Sequence, residues 1–143
     1  MVTAAVAGGA AMVQLRDKGD DARRFVKDAR NLHELLVPLG IPLVIKDRVD
    51  IAAAVGAEGV HLGQSDLPPA DARRILGEAA IVGLSVTNEA EAADADPAIV
   101  DYLGVGPVFA TATKSDAAAP SGPRAWRPFA LERRPCRSWE SAD

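Results

Sequence analysis

Cations, carboxylates and hydroxyls that could bind phosphate or a metal ion recur along this chain, each shortly after an apolar run. The runs and their polar ends occupy residues 12–18, 42–48, 59–66, 80–85 and 101–114. If the runs are parallel β-strands, their carboxyl ends lie on one side of a sheet, where parallel α/β folds bind substrates. Five such ends in series predict an active site for an anionic ligand.

The first block carries two cations and an amide. Gln14, Arg16 and Lys18 occupy alternate positions where the apolar run ends, and alternate residues of an extended chain share a face. Arginine can bind phosphate through two parallel hydrogen bonds and lysine acts as a point charge, so this trio could hold a diphosphate. A solvated strand end is the alternative.

The next two blocks each contain a carboxylate just after the apolar run, Asp47 and Asp66. Mg²⁺ commonly takes one or two protein carboxylates and completes its shell with water and substrate phosphate. The pair therefore predicts a Mg²⁺ site. Other roles stay open, because Asp66 could cap the helix that starts near Pro68 and Asp47 could pair with Arg48 or Arg16.

Hydroxyls mark the last two blocks. Ser85 ends its run and could donate a hydrogen bond to a phosphate or a ring nitrogen, although serine is common at such turns. Thr111, Thr113 and Lys114 follow a glycine-rich run and could form a phosphate-binding loop. It is neither a Walker A loop nor a dinucleotide loop, because the Gly-Lys step is absent and Phe109 stands where the third glycine belongs. A polar loop without function is the alternative.

Neither histidine is predicted to be catalytic. His61 lies inside an apolar run, so we expect hydrogen bonds to hold it in the interior rather than a role as a general base. His33 lies on a predicted helix, where we expect it at the surface.

Helical patterns separate the apolar runs. The longest predicted helix covers residues 20–39, begins at Asp20 or Asp21 and ends at Gly40. Three shorter helices are predicted. The first covers residues 49–55 and ends at Gly56, and the second follows Pro68 with Ala72, Ile75 and Leu76 as its apolar stripe. The third is capped by Asn88 and Glu91 and extends to about Ala95. Strands and helices that alternate with short turns predict βαβ units, and thus an α/β fold with a parallel sheet.

Length and composition set outer limits on function. A chain of 143 residues forms one domain at most, and its net charge of −4 argues against a general nucleic-acid binder. With one cysteine, Cys136, it has no internal disulfide framework. No apolar run is long enough to cross a membrane, and the N-terminus lacks the pattern of a secretion signal. We expect a cytoplasmic protein without membrane or nucleic-acid partners.

Both ends differ from those of a complete α/β domain. Residues 2–9 resemble the tail of a helix that has no preceding strand. Residues 123–143 hold both tryptophans, the only cysteine and five arginines, without a clear helical or strand period. Three explanations stay open for this irregular tail: a flexible extension, a sequence translated in the wrong reading frame, or a basic-aromatic binding segment.

The ordered blocks resemble one known family, thiamine-phosphate synthase. The resemblance extends from about Ala4 to Gly122. It rests on Gln-Leu-Arg-Asp-Lys at 14–18, Lys-Asp-Arg-Val-Asp at 46–50, Gly-Val-His-Leu-Gly-Gln-Ser-Asp-Leu at 59–67, Gly-Leu-Ser at 83–85 and the run 102–114. It implies a partial (β/α)8 TIM barrel with about five βα units in residues 1–122, followed by a divergent tail at 123–143.

The resemblance also implies a reaction. The family joins a pyrimidine diphosphate to a thiazole phosphate, which gives thiamine monophosphate and releases diphosphate. Diphosphate leaves first, a pyrimidinylmethyl cation forms, and the thiazole nitrogen attacks it, so cations that stabilise the leaving group carry the catalysis.

Site residues follow from the same resemblance. The implied ligands of the pyrimidine diphosphate are Gln14, Arg16, Lys18, Ser85 and Lys114. Of these, the catalytic cations are Arg16, Lys18 and Lys114. Thr111 and Thr113 would bind the thiazole phosphate, and Asp47 and Asp66 would bind Mg²⁺. Lys46 joins the substrate-binding set but departs from the family, which has asparagine there. The lysine ammonium can only donate hydrogen bonds, whereas the asparagine amide both donates and accepts them. The positive charge of Lys46 would also compete with Mg²⁺ beside Asp47.

Two other functions stay open. One is a related thiazole tautomerase, an isomerase that needs no metal-bound diphosphate; the retained carboxylates and cations favour the synthase over it. The other is an inactive fragment, since five strands cannot close a barrel. In that case, exposed sheet edges would promote self-association and poor solubility.

Overall fold

The computed structural model describes residues 2–107. Its helices are α1 (Val2–Ala7), α2 (Ala22–Leu36), α3 (Val49–Val55), α4 (Pro69–Leu76) and α5 (Glu89–Asp94), with a short 3-10 helix at Val37–Leu39. Its strands are β1 (Val13–Leu15), β2 (Leu43–Lys46), β3 (Gly59–Leu62), β4 (Ile81–Val86) and β5 (Tyr102–Val105). None of the helices in this described part is long and apolar enough to span a membrane.

All five strands are parallel and lie in the order in which they occur along the chain. A helix separates each strand from the next from β1 to β5, so the sheet is a series of βαβ units that forms a half-barrel. The predicted α/β fold, a partial TIM barrel of about five units, is confirmed. The carboxyl ends of the strands therefore meet on one side, as the blocks of polar residues require.

Helix α2 begins and ends close to the predicted positions. The Asp21 side chain accepts a hydrogen bond from the Arg24 N–H at 3.0 Å, and Gly40 takes the left-handed conformation at φ 63°. The α-helix stops at Leu36, however, and the last turn is 3-10. Pro38 explains the difference, because it has no N–H to continue the α-helical ladder.

The two faces of the sheet have different environments. Alternate strand residues such as Leu43, Ile45, Val60 and Leu62 are buried and pack with helix residues in two apolar clusters. The intervening residues of each strand point to the other face. These positions carry the side chains that could perform chemistry: Gln14, Lys46, His61, Ser85 and Tyr102.

Two strand glycines create space on that second face. A Cβ at Gly83 would lie 2.3 Å from Cζ of Tyr102, and a Cβ at Gly104 would lie 2.7 Å from Cε1 of His61. Contacts below 3.0 Å are essentially never made by real Cβ atoms. The histidine and tyrosine rings can therefore occupy this face only because the neighbouring strands carry glycine.

Candidate active site

Asp47 directly follows β2 in an uncommon backbone conformation. Its φ is 68°, in the left-handed region, and its N–H donates to the carbonyl oxygen of His61 on β3 at 2.9 Å. Aspartate tolerates this conformation better than most residues, although it costs free energy. The turn directs the Asp47 side chain towards the cations that end β1 and β2.

Arg16 reaches Asp47 across the first two strands. Its Nε lies 3.7 Å from Oδ2 of Asp47, and its side chain is 45% exposed. Arg48 instead binds Asp50, with nitrogen–oxygen distances of 2.8 and 2.6 Å. Of the two ion pairs that the sequence left open for Asp47, the structure therefore forms the one with Arg16.

Lys46 lies between the two carboxylates of the predicted metal pair. Its Nζ contacts Oδ1 of Asp47 and lies 3.8 Å from Oδ2 of Asp66. The Lys46 side chain is only 14% exposed, so this ammonium is enclosed rather than free in solvent. The end of β2 thus supplies both a carboxylate and the cation that neutralises it.

Asp66 closes the loop that follows β3. Its Oδ2 accepts the Gly63 N–H at 2.6 Å. Helix α4 begins after Pro68 without a side-chain cap, so the alternative in which Asp66 caps that helix is wrong. The loop hydrogen bond holds the Asp66 carboxylate near Lys46 and away from the helix.

The electrostatics of this cluster favour an ionised Asp47. Burial raises the pKa of the Asp47 carboxyl, but hydrogen bonding with Lys46 and Asp66 and the charges of Lys46 and Arg16 outweigh burial, so this pKa lies below its ordinary value. An ionised carboxylate at this position can bind a cation or orient a basic side chain.

His61 joins Ser85 to Tyr102 beside this cluster. Its Nε2 lies 2.8 Å from Oγ of Ser85, and its Nδ1 lies 2.9 Å from the Tyr102 hydroxyl. The expectation that hydrogen bonds hold His61 in the interior is confirmed. Gln64 Nε2 also donates to the Ser85 carbonyl oxygen at 2.7 Å, which fixes the end of β4.

Protonation states in this network are shifted by burial. Burial and the Lys46 charge lower the pKa of His61, with a smaller opposing effect of Asp47. Burial and the Asp101 charge raise the pKa of Tyr102 to about 12. At neutral pH the imidazole is therefore mainly neutral and the Tyr102 phenol keeps its proton.

Tyr102 was not among the residues that sequence reasoning selected. A signal was available, since Gly83 and Gly104 stand inside strands, where glycine often marks a close approach. His33, predicted at the surface, is only partly exposed. Its side chain is 19% exposed and lies 2.9 Å from Glu58, whose other carboxylate oxygen accepts the Leu43 N–H at 2.8 Å.

The structure brings part of the predicted set together. Arg16, Lys46, Asp47 and Asp66 form one cluster, and Ser85 lies one residue before the end of β4 on the same side of the sheet. Two other predicted residues are exposed: Gln14 in β1 and Lys18 just after it. The last three, Thr111, Thr113 and Lys114, lie outside the described residues.

Comparisons with known proteins identify the family. A family model described as thiamine monophosphate synthase matches residues 1–132. The chain belongs to this family. The family match continues past residue 122, and the boundary between the domain and its tail at that residue stays a prediction.

Relatives in this family are similar over most of the chain. The thiamine-phosphate synthase of Xanthobacter autotrophicus is 60% identical over 121 residues, which are 85% of this chain and 57% of that protein. That of Solidesulfovibrio magneticus is 58% identical over 122 residues, 85% of this chain and 58% of that protein. The chain thus spans a little over half the length of these thiamine-phosphate synthases.

A solved structure shows the same fold. Thiamine phosphate pyrophosphorylase from Pyrococcus furiosus matches with a TM-score of 0.68 and 38% identity, covering 75% of this chain and 52% of that one. The half-barrel therefore corresponds to about half of a thiamine-phosphate synthase-like chain.

Proposed function

We propose that this chain is a transferase of thiamine biosynthesis that joins the pyrimidine diphosphate to the thiazole phosphate, with diphosphate as the leaving group. The observation that carries the proposal is the cluster of Arg16, Lys46, Asp47 and Asp66 at the carboxyl ends of β1, β2 and β3 in a chain of this family. The related solved structure supports the same assignment.

The proposed roles follow from charge. Arg16, Lys18 and Lys114 neutralise the negative charge that grows on the departing diphosphate, which is where fixed cations contribute most to such a reaction. Gln14 and Ser85 orient the pyrimidine diphosphate. Lys46 binds substrate phosphate from the end of β2, and Thr111 and Thr113 line the thiazole phosphate site.

The acidic pair is proposed to bind Mg²⁺. Asp47 and Asp66 both approach the Lys46 ammonium and supply the carboxylate oxygens that Mg²⁺ accepts. Two carboxylates fit an ion that completes its shell with water and substrate phosphate. Residues 2–107 contain no larger group of histidine, cysteine or acidic side chains placed to hold a metal. When bound, the ion would stabilise negative charge on the leaving diphosphate.

The hydrogen-bond network gives Ser85 a defined role. In the tautomer that we propose, a protonated Tyr102 donates to Nδ1 of neutral His61, which carries its proton on Nε2 and donates to Oγ of Ser85. The Ser85 hydroxyl keeps its own proton free for the substrate. This tautomer makes Ser85 a donor to a phosphate oxygen or a ring nitrogen.

Other functions have less support. The relatives reported above are named synthases, which favours the transferase over the tautomerase. Small-molecule substrates, a cytoplasmic location, the absence of nucleic-acid and membrane partners and self-association through sheet edges all remain parts of the proposal. An inert fragment would bind neither substrate.

Diphosphate binding tests the function directly. With Mg²⁺ present and diphosphate at 100 times its Kd, we expect about 2.7 kcal/mol of stabilisation, measured as a rise in Tm. Arg16→Gln should weaken diphosphate binding by about tenfold or more, because it removes a charged hydrogen-bond donor. Arg23→Gln, which removes an equal charge from the exposed side of α2, should not.

The same preparation should form thiamine monophosphate and release diphosphate when both substrates are supplied. A folded protein that shows no diphosphate-dependent rise in Tm would contradict the synthase proposal and favour the tautomerase. Equal diphosphate affinity in the Arg16 and Arg23 variants would remove Arg16 from the site.

A further inference from the structure

Two acidic and two basic side chains lie together at the carboxyl ends of β1 to β3. When both acids are ionised, Asp47 and Asp66 supply two negative charges, and Lys46 and Arg16 supply two positive charges. Within the part of the chain that the structure describes, Lys46 is the side chain that contacts both acids. The acidic pair is thus already neutralised by the protein's own side chains.

The position of Lys46 limits how a metal ion can bind. Mg²⁺ requires oxygen ligands at about 2.0–2.1 Å, and the Lys46 ammonium stands against oxygens of both carboxylates that would supply them. A divalent cation on these oxygens would lie within a few ångströms of the ammonium. Because the Lys46 side chain is 14% exposed, water screens that repulsion only partly.

We propose that Lys46 is a built-in counter-ion that occupies the metal position of the Asp47–Asp66 pair and must move before a divalent cation binds. This inference rests on the proposed metal role of the two aspartates. Lys46 then sets the affinity of the site for divalent cations. It holds the carboxylates together in the metal-free protein, and it becomes available to substrate phosphate once the metal displaces it.

Direct metal binding tests the proposal without an activity assay. Mn²⁺ bound to the protein is measured by the loss of the free-ion signal in electron paramagnetic resonance, and Mg²⁺ is added as the competitor. Lys46→Gln should bind Mn²⁺ about tenfold more tightly or better, since one adjacent positive charge is removed. The gain should disappear in Lys46→Gln combined with Asp66→Asn.

Arg48→Gln is the matched control. It removes one positive charge from the same loop, but the Arg48 guanidinium pairs with Asp50 and not with the metal pair. We expect its Mn²⁺ affinity to equal that of the unsubstituted protein. An equal gain in both variants would overturn a specific role for Lys46.

A second measurement uses the unsubstituted chain. Reductive methylation of Lys46, followed by mass spectrometry of its peptide, should rise severalfold when Mg²⁺ is saturating, because the ammonium is released from both carboxylates. Unchanged labelling of Lys46 would overturn the proposal even if Lys46→Gln fails to fold.

The metal role of the aspartates and the counter-ion role of Lys46 are contradicted by different results. If Mn²⁺ binds the unsubstituted protein and Lys46→Gln equally and binding is lost in Asp66→Asn, the metal role stands and the Lys46 inference falls. If neither protein binds Mn²⁺, the metal role of the aspartates falls, and the inference falls with it.

Discussion

Gly83 shows how one residue on one strand controls the site on the next. It pairs in register with His61 on β3 and with Tyr102 on β5, so a side chain there would meet the tyrosine ring. The His61–Tyr102 hydrogen bond depends on that ring position, and His61 in turn orients Ser85. Absence of a Cβ at Gly83 is thus a condition for the proposed donor role of Ser85.

Gly83→Ala should lower the free energy of unfolding by about 1–3 kcal/mol, because the new Cβ overlaps Cζ of Tyr102 and the packing must shift. Gly106→Ala adds the same atom where no heavy atom of the described residues lies within 4 Å, and it should change stability by less than about 0.5 kcal/mol. Urea denaturation of both variants provides the measurement. Similar decreases in the free energy of unfolding for the two variants would show that Tyr102 moves aside without strain.

At the level of elements, Arg73 attaches helix α4 to the sheet. Its guanidinium donates to the carbonyl oxygens of Ile99 at 2.6 Å and Glu78 at 3.1 Å, and to Asp101 at 2.8 Å. The side chain is only 10% exposed. The predicted apolar stripe of α4 is partly wrong for this reason: Ile75 is 54% exposed while Arg73 is buried.

Replacing this arginine tests the attachment. Arg73→Met should cost about 2–4 kcal/mol of unfolding free energy, because buried carbonyl groups and Asp101 lose their donor. Arg74→Met on the same helix removes an arginine whose side chain is 77% exposed and pairs with Asp71, so a change of at most about 1 kcal/mol is expected. Thermal unfolding of the two variants compares them, and an equal decrease would rule out an anchoring role for Arg73.

At the level of the whole molecule, β1 and β5 are the two outer strands of the sheet formed by residues 2–107. Within residues 2–107, β1 pairs only with β2 and β5 only with β4. Unpaired strand edges can pair with a second chain. Val105, the last residue of β5, is 38% exposed.

We expect the protein to self-associate as its concentration rises, measured as an increase in weight-average mass by light scattering. Val105→Lys should reduce this association, because a charged residue disfavours edge pairing. Val37→Lys, at a 57% exposed position on the short 3-10 helix, should leave it unchanged. A monomeric mass at every concentration would contradict edge-mediated association.

Local patterns in the sequence were sufficient to predict the order and type of the elements. The helix at Val49–Val55 and its left-handed stop at Gly56, with φ 74°, lie where composition and glycine placed them. The Asn88 cap on α5 also forms, with its side chain accepting the Glu91 N–H at 2.9 Å. Glu91 departs from the usual box by bonding the Thr87 N–H at 2.7 Å. These features depend on residues within one turn, so the sequence specifies them directly.

Parallel pairing also allowed the sequence to predict that Arg16, Asp47 and Asp66 meet on one side of the sheet. Only the tertiary structure decided what each side chain does there. Lys46 bridges the two acids, Asp66 closes its own loop, and Tyr102 reaches His61 from 41 positions away. Such contacts depend on strand register, loop conformation and the space left by glycines on neighbouring strands, and these are set by packing across the sheet rather than by local sequence.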